Sequence, residues 1–135
     1  MLFHLDTNAV SDLIRQDARV LARLAAVNAT DELRICVVVR GEILFGIDRL
    51  ASGKSQNELR ERASSIFAHL PCEAIRPSAD ASYSRIKCAL EKMGSVLGEN
   101  DLWIAACALD FGAILVTRDR AFQQISGLVV EDWTH

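Results

Sequence analysis

At 135 residues, half of them hydrophobic and 24% charged, the chain carries enough apolar material for a single folded domain over residues 1–135 and too much to stay disordered. No apolar run approaches the ~20 residues of a membrane-spanning helix, and no leader precedes the first apolar run, so no membrane association and a cytoplasmic location are expected. The formal net charge of −3 speaks against a generic nucleic-acid binder. Charge can be unevenly placed, however: setting aside four of the 18 acids as one metal site leaves 14 against 15 Lys and Arg.

Leu2-Phe3-His4-Leu5 reads as a buried strand that ends on Asp6, and a helical pattern follows at once through Val10, Leu13 and Ile14. Thr7 or Asn8 can cap that helix, which would leave Asp6 at the strand tip; Asp6 can equally be the cap itself. Val20, Leu21, Leu24 and Val27 form a second helical stripe. Ile35 to Val39 is an apolar run without alternation, as expected of a strand covered on both faces. Ile43, Leu44, Ile47 and Leu50 then fall on one side of a helix that carries Glu42 in its first turn. Ser52 to Ser55 is a polar turn, and Leu59, Ala63, Ile66, Phe67 and Leu70 complete a helical hairpin ended by Pro71.

Cys72 to Ile75 reads as a short strand, and Ser78 as the cap of a helix through Tyr83, Ile86, Leu90 and Met93 that stops at Gly94. Asn100 and Asp101 open another helix, closed by Gly112. Ala113 to Val116 is a buried strand ending in Thr117-Arg118-Asp119, a short helix runs through Phe122 and Ile125, and Leu128 to Val130 is the last strand. Strands alternating with helices predict an α/β fold, a three-layer α/β/α sandwich around a parallel sheet of about five strands. Cys36, Cys72, Cys88 and Cys107 lack C-x-x-C spacing and read as buried thiols, and His4, His69 and His135 are isolated.

Asp6, Glu42 and Asp119 follow predicted strands, and Asp101 begins a helix. In a parallel sheet such junctions share one edge, where ligands of α/β folds bind. Carboxylates gathered there repel by about 4 kcal/mol per pair at ~4 Å and an effective dielectric near 20. Cations relieve this, and oxygen donors of this kind favour Mg²⁺ or Mn²⁺ and phosphodiester hydrolysis. On spacing alone, four unrelated caps and surface acids account for the pattern as well.

The flanking residues decide between them. Leu5-Asp6-Thr7-Asn8, Arg40-Gly41-Glu42, the block from Gly98 to Ala106, Val116 to Phe122 and the ending Gly127 to Trp133 together resemble the PIN domain, and within it the VapC ribonuclease toxins of bacterial toxin–antitoxin pairs. The resemblance runs over essentially the whole chain in the same order. It implies the PIN-like sandwich and a Mg²⁺- or Mn²⁺-dependent endoribonuclease whose catalytic, metal-holding acids match Asp6, Glu42, Asp101 and Asp119, with Asp6 and Asp101 the principal ligands. Asn8 and Thr117 match positions that support the cluster by hydrogen bonds. It further implies an RNA substrate, with initiator transfer RNA the first guess, a VapB-like antitoxin and a homodimer.

Arg118 and Arg120 flank Asp119 as holders of RNA phosphate or as plain solvated charges. Trp103 reads as core or dimer interface, or as a platform for a base; Tyr83 and Phe45 read as core. Gly41 and Gly46 imply close backbone approach near Glu42. Two other acidic Mg²⁺ folds fit poorly: a receiver-type domain wants adjacent acids after the first strand and a Lys at the last, and a haloacid-dehalogenase-like phosphatase wants D-x-D where Asp6-Thr7-Asn8 stands. A non-catalytic PIN-like RNA-binding or scaffold protein is the remaining alternative.

Overall fold

The computed structural model describes all of residues 1–135. Five strands, β1 (Leu2–Leu5), β2 (Glu32–Cys36), β3 (Cys72–Glu73), β4 (Ile114–Val116) and β5 (Val130–Glu131), form one sheet in the order β3-β2-β1-β4-β5. Every pairing is parallel, with Phe3 opposite Leu33 on one side and Ile114 on the other. Six helices flank it: α1 (Thr7–Ile14), α2 (Ala18–Ala25), α3 (Val37–Asp48), α4 (Lys54–Phe67), α5 (Ala79–Lys92) and α6 (Glu99–Phe111). α1 packs with α2, α3 and α4, while α5 pairs with α6, giving the three-layer α/β/α sandwich expected. A 3-10 turn, Arg120–Gln124, links β4 to β5.

The chain builds outward from β1 through β2 to β3, then returns through α5 and α6 to lay β4 on the other side of β1. The strand order therefore reverses between β1 and β4, the point where α/β sheets open a crevice. Two backbone bonds carry the pairing past the strand ends: Asp6 N–H donates to Val116 O at 3.0 Å, and Thr117 N–H to Glu131 O at 2.9 Å. Asp6 and Thr117 thus stand side by side at that reversal.

The core is continuous. β1 and β4 are buried on both faces, with Leu5 and Leu115 fully enclosed. α6 is buried through Leu102 and from Ile104 to Ala108, and its alanines let the helix lie close to its neighbours. It ends at Gly112, whose φ of 66° is a left-handed cap that glycine adopts without strain. His4, 1% exposed in β1, finds no hydrogen-bond partner for either ring nitrogen, and its ring packs 5.4 Å from Phe111.

Several local expectations are corrected. Val37 to Val39 begin α3 rather than extending β2, because Cys36 turns the chain as N-cap and Val39 is buried as a helical residue. α3 buries Val39, Ile43 and Ile47, spaced by four, which leaves Leu44, Leu50 and Phe45 on the outside; Phe45 is 65% exposed and is not core. A Cβ at Gly41 or Gly46 would meet nothing within 4 Å, so neither glycine marks a close approach. Cys36 and Cys107 are buried beside each other, but Cys72 and Cys88 are exposed, on the edge strand β3 and the outer side of α5. Ser78 gives its hydroxyl to Asp110 at 3.0 Å instead of capping α5.

Candidate active site

Asp6 leaves β1 as the N-cap of α1: its Oδ1 accepts from Ala9 N–H at 2.8 Å. The cap and the strand-tip readings of Asp6 are both realised, since a residue between a strand and a helix fills both places. Asp6 is 3% exposed. Burial pushes its carboxyl from 3.8 up to about 6, with Thr117 and the Ala9 amide pulling the other way and the charges of Asp101 and Asp119 adding to the rise.

Asp101 enters from the first turn of α6 and is half-buried. Its carboxyl is also raised, first by burial, then by Glu42 and Asp119. The structure therefore brings all four acids into one electrostatic neighbourhood from four separate elements. Glu42 arrives from the second turn of α3, not the first, because α3 starts at Val37. Its Oε1 accepts from the Thr7 hydroxyl at 2.6 Å and its Oε2 from Asn100 Nδ2 at 3.4 Å. Asp119 caps the 3-10 turn, its Oδ1 accepting from Ala121 N–H at 2.9 Å, while its own N–H donates to Thr117 Oγ1 at 3.0 Å.

Thr117 supports the cluster, touching Asp6 and the Asp119 amide. Asn8 does not: it sits half-buried in the first turn of α1, and Asp6 takes its local donor from the Ala9 backbone instead. The supporting groups that sequence reasoning missed are Thr7 and Asn100. Each stands beside a cluster acid in the chain and reaches back to Glu42, a cross-link the sequence signals only as a small polar neighbour.

Arg118 is committed elsewhere. Its Nε donates to Asp12 Oδ2 at 3.1 Å, and Asp12 is 6% exposed in α1. Arg120 is exposed beside Asp119 on the rim of a polar hollow of about 330 Å³. Arg118→Ala leaves a buried carboxylate without its cation and is expected to cost about 1–3 kcal/mol of stability, whereas Arg120→Ala leaves the urea midpoint unchanged. Equal midpoints for the two variants would remove the structural role given to Arg118. Trp103 stacks on Tyr83 at 4.1 Å between α6 and α5, so its ring is spent on packing.

The cluster suits a divalent cation by its chemistry. Its donors are carboxylate oxygens, and the Asp6 and Asp101 carboxyls are raised first by burial and then by the neighbouring acids, both of which a bound cation would offset. No three His, Cys, Asp or Glu side chains are close enough to hold one ion between them as they stand. Mg²⁺ needs only one or two protein carboxylates, since water and substrate phosphate complete its octahedron. The donor set therefore fits a hydrated Mg²⁺ better than a tightly caged ion.

Comparison with known proteins gives the same architecture a lineage. The PIN domain matches residues 4–128 of the chain. Ribonuclease VapC1 of Haemophilus influenzae (strain R2866) is 30% identical over 99% of both chains, and Ribonuclease VapC2 of Rickettsia felis is 26% identical over 98% of both. Among solved structures, VapBC-1 from nontypeable Haemophilus influenzae superposes with a TM-score of 0.86 at 25% identity over the whole of both chains. VapBC2 from Rickettsia felis, bound to a DNA fragment from its promoter, superposes with a TM-score of 0.90 at 24% identity, covering 98% of this chain and 99% of that one. With a match that runs from β1 almost to β5 and relatives aligned end to end, the chain belongs to the PIN domain family, among its VapC-type members.

Proposed function

We propose that this protein is a Mg²⁺- or Mn²⁺-dependent single-strand endoribonuclease, the toxin of a toxin–antitoxin pair, and that it acts in the cytoplasm on RNA, initiator transfer RNA first among the candidates. The observation that carries the reading is the gathering of Asp6, Glu42, Asp101 and Asp119, none of them in a salt bridge with a lysine or arginine. A phosphate of RNA cannot rest against these acids unless a cation is bound with it. The full-length relatives are named ribonucleases, and no helix of the structure is long and apolar enough to cross a membrane.

Asp6 and Asp101 are the groups to hold the metal, with Glu42 and Asp119 completing the shell directly or through water. When bound, the metal supplies a water acidic enough to act as nucleophile and a positive charge on the scissile phosphate. The chain's own part is to hold the acids still. Thr7 and Asn100 fix the Glu42 carboxylate, and Thr117 ties the turn of Asp119 to the strand end of Asp6. Each of these bonds spares the site some reorganisation when substrate arrives.

For the antitoxin, the helical hairpin of α3 and α4 meets α1 in a groove of about 350 Å³ lined by Ile14, Ile47, Leu50 and Leu59 together with Glu42 and Arg49. An amphipathic helix of a VapB-like partner fits that groove. Several of the solved relatives are VapBC complexes. A homodimer completes the assembly, to be read from its mass in solution.

The test is cleavage of a total transfer-RNA pool by purified protein in Mg²⁺, in Mn²⁺ and in EDTA, beside Asp101→Asn. Discrete cuts are expected with metal, none in EDTA and none from the variant, and the cut ends identify the substrate. Silence on transfer RNA and then on ribosomal RNA would move the protein to the non-catalytic RNA-binding or scaffold class.

A further inference from the structure

α3 carries an outward stripe that starts at the carboxylate cluster and runs on beyond it. Glu42, Phe45 and Arg49 lie three and four residues apart, one above another on a helix face. Thr7, Glu42, Phe45, Gly46, Arg49 and Asn100 line one open hollow of about 570 Å³, so the Phe45 ring shares a continuous surface with Glu42, the one cluster acid in that lining. Phe45 is 65% exposed, with the Arg49 guanidinium 5.8 Å from its ring centroid. That contact covers one face of the ring at most. The neighbouring Asp48 is engaged by Arg60 at 2.9 Å, which leaves Arg49 its positive charge.

Gly41 and Gly46 flank the ring inside the helix, where glycine is less stable than alanine. Packing does not require them, because a Cβ at either position would meet open space. Their effect is to leave the helix bare around the aromatic ring. An exposed aromatic beside an unneutralised arginine is the combination that holds single-stranded nucleic acid without reading its sequence: the ring stacks a base and the guanidinium takes a phosphate.

We propose that Phe45 and Arg49 form a nucleotide subsite next to the carboxylates, in which a base of single-stranded RNA stacks on the open face of Phe45 and an adjoining phosphate sits on Arg49. The proposal rests on the ribonuclease reading and names how the strand is held beside the acids. Charge complementarity selects the occupant: the cluster repels a phosphate, and Arg49 offers it a place one helical turn beyond Phe45. The subsite is indifferent to base identity, so it positions the strand while other surfaces choose the RNA.

The probe is a short fluorescein-labelled oligoadenylate, bound in EDTA so that nothing is cut, and followed by anisotropy. Phe45→Ala and Phe45→Leu are expected to weaken binding about tenfold. Phe45→Trp is expected to bind like the native protein, with quenching of the new indole fluorescence as the base stacks on it. Arg49→Ala is expected to weaken binding and to flatten the dependence of log K on log salt by about 0.7. Urea midpoints stay unchanged for the Phe45 variants, because the ring is exposed.

Metal-dependent cleavage of a transfer-RNA pool is run on the same preparations. If the native protein binds and cuts while Phe45→Ala or Phe45→Leu does both within about twofold of it, the subsite is overturned and the exposed ring belongs to a protein partner. A native protein that neither binds nor cuts overturns the ribonuclease reading itself, and the subsite falls with it.

Discussion

In EDTA at neutral pH, Asp6→Asn is expected to unfold at higher urea than the native protein, and yet in Mg²⁺ to have lost most of its cleavage of RNA. The Asp6 carboxyl titrates at about 6 in the folded chain, against 3.8 when unperturbed. The folded state therefore binds more protons than the unfolded one between those values. Its cost is full above pH 6 and vanishes as the pH falls below 3.8. The difference is worth about 3 kcal/mol at neutral pH. Asparagine keeps the N-cap on Ala9, so the variant sheds the charge without losing the cap.

Mg²⁺ should reverse the order, stabilising the native protein and leaving the variant where it was. Cleavage is expected to fall by about 10²–10³-fold or more. In cells lacking the antitoxin, only the native chain should arrest growth. Urea melts with and without Mg²⁺ check the stability claim, and a variant that is less stable than native in EDTA would refute the account of Asp6 as an electrostatically strained carboxylate.

His4 produces a slope of opposite sign two residues earlier. Burial lowers its imidazole from 6.5 to about 4, with Glu73 opposing and Arg34 adding slightly. Between pH 6.5 and 4 the unfolded chain takes up a proton that the folded chain refuses, so His4 withdraws stability as the pH falls through that window. The total is about 3 kcal/mol, and nothing is lost above pH 6.5. Asp6 returns stability from pH 6 down to 3.8, and the native protein should be nearly flat there. Asp6→Asn uncovers the His4 slope and loses stability on acidification. His4→Leu uncovers the Asp6 slope and gains it, and also removes two ring nitrogens that have no partner. Urea midpoints for the three proteins at pH 7, 5.5 and 4.5 separate the contributions; parallel curves would show that neither group is shifted.

Asp6 and Asp119 were legible because each follows an apolar run and caps the turn after it, and Asp101 because it opens a helix. Their meeting was not, because it depends on β4 returning to the far side of β1, a placement no spacing records. β2 and α3 show a second limit. Val37 to Val39 are β-branched, and propensity favours a strand, but Cys36 turns the chain and the burial of Val39 in the core overrides the preference. That shift of the helix start puts Glu42 one turn further in, within reach of Thr7. Phe45 was read as core although it lies off the helical stripe through Ile43 and Ile47. Val39, Ile43 and Ile47 already define the inner face, and Phe45 lies opposite Ile43.

The strand order also sets a timetable. β1 is made first and occupies the middle of the sheet, but one of its two neighbours, β4, lies near the end of the chain. Asp101 and Asp119 come equally late. A chain growing from the ribosome holds Asp6 and Glu42 long before it holds the other half of the site, and the crevice between β1 and β4 has only one wall until β4 has been made. A site built in this order is incomplete while its late strand is still to be made, and a partner can seat on its complete surface only afterwards.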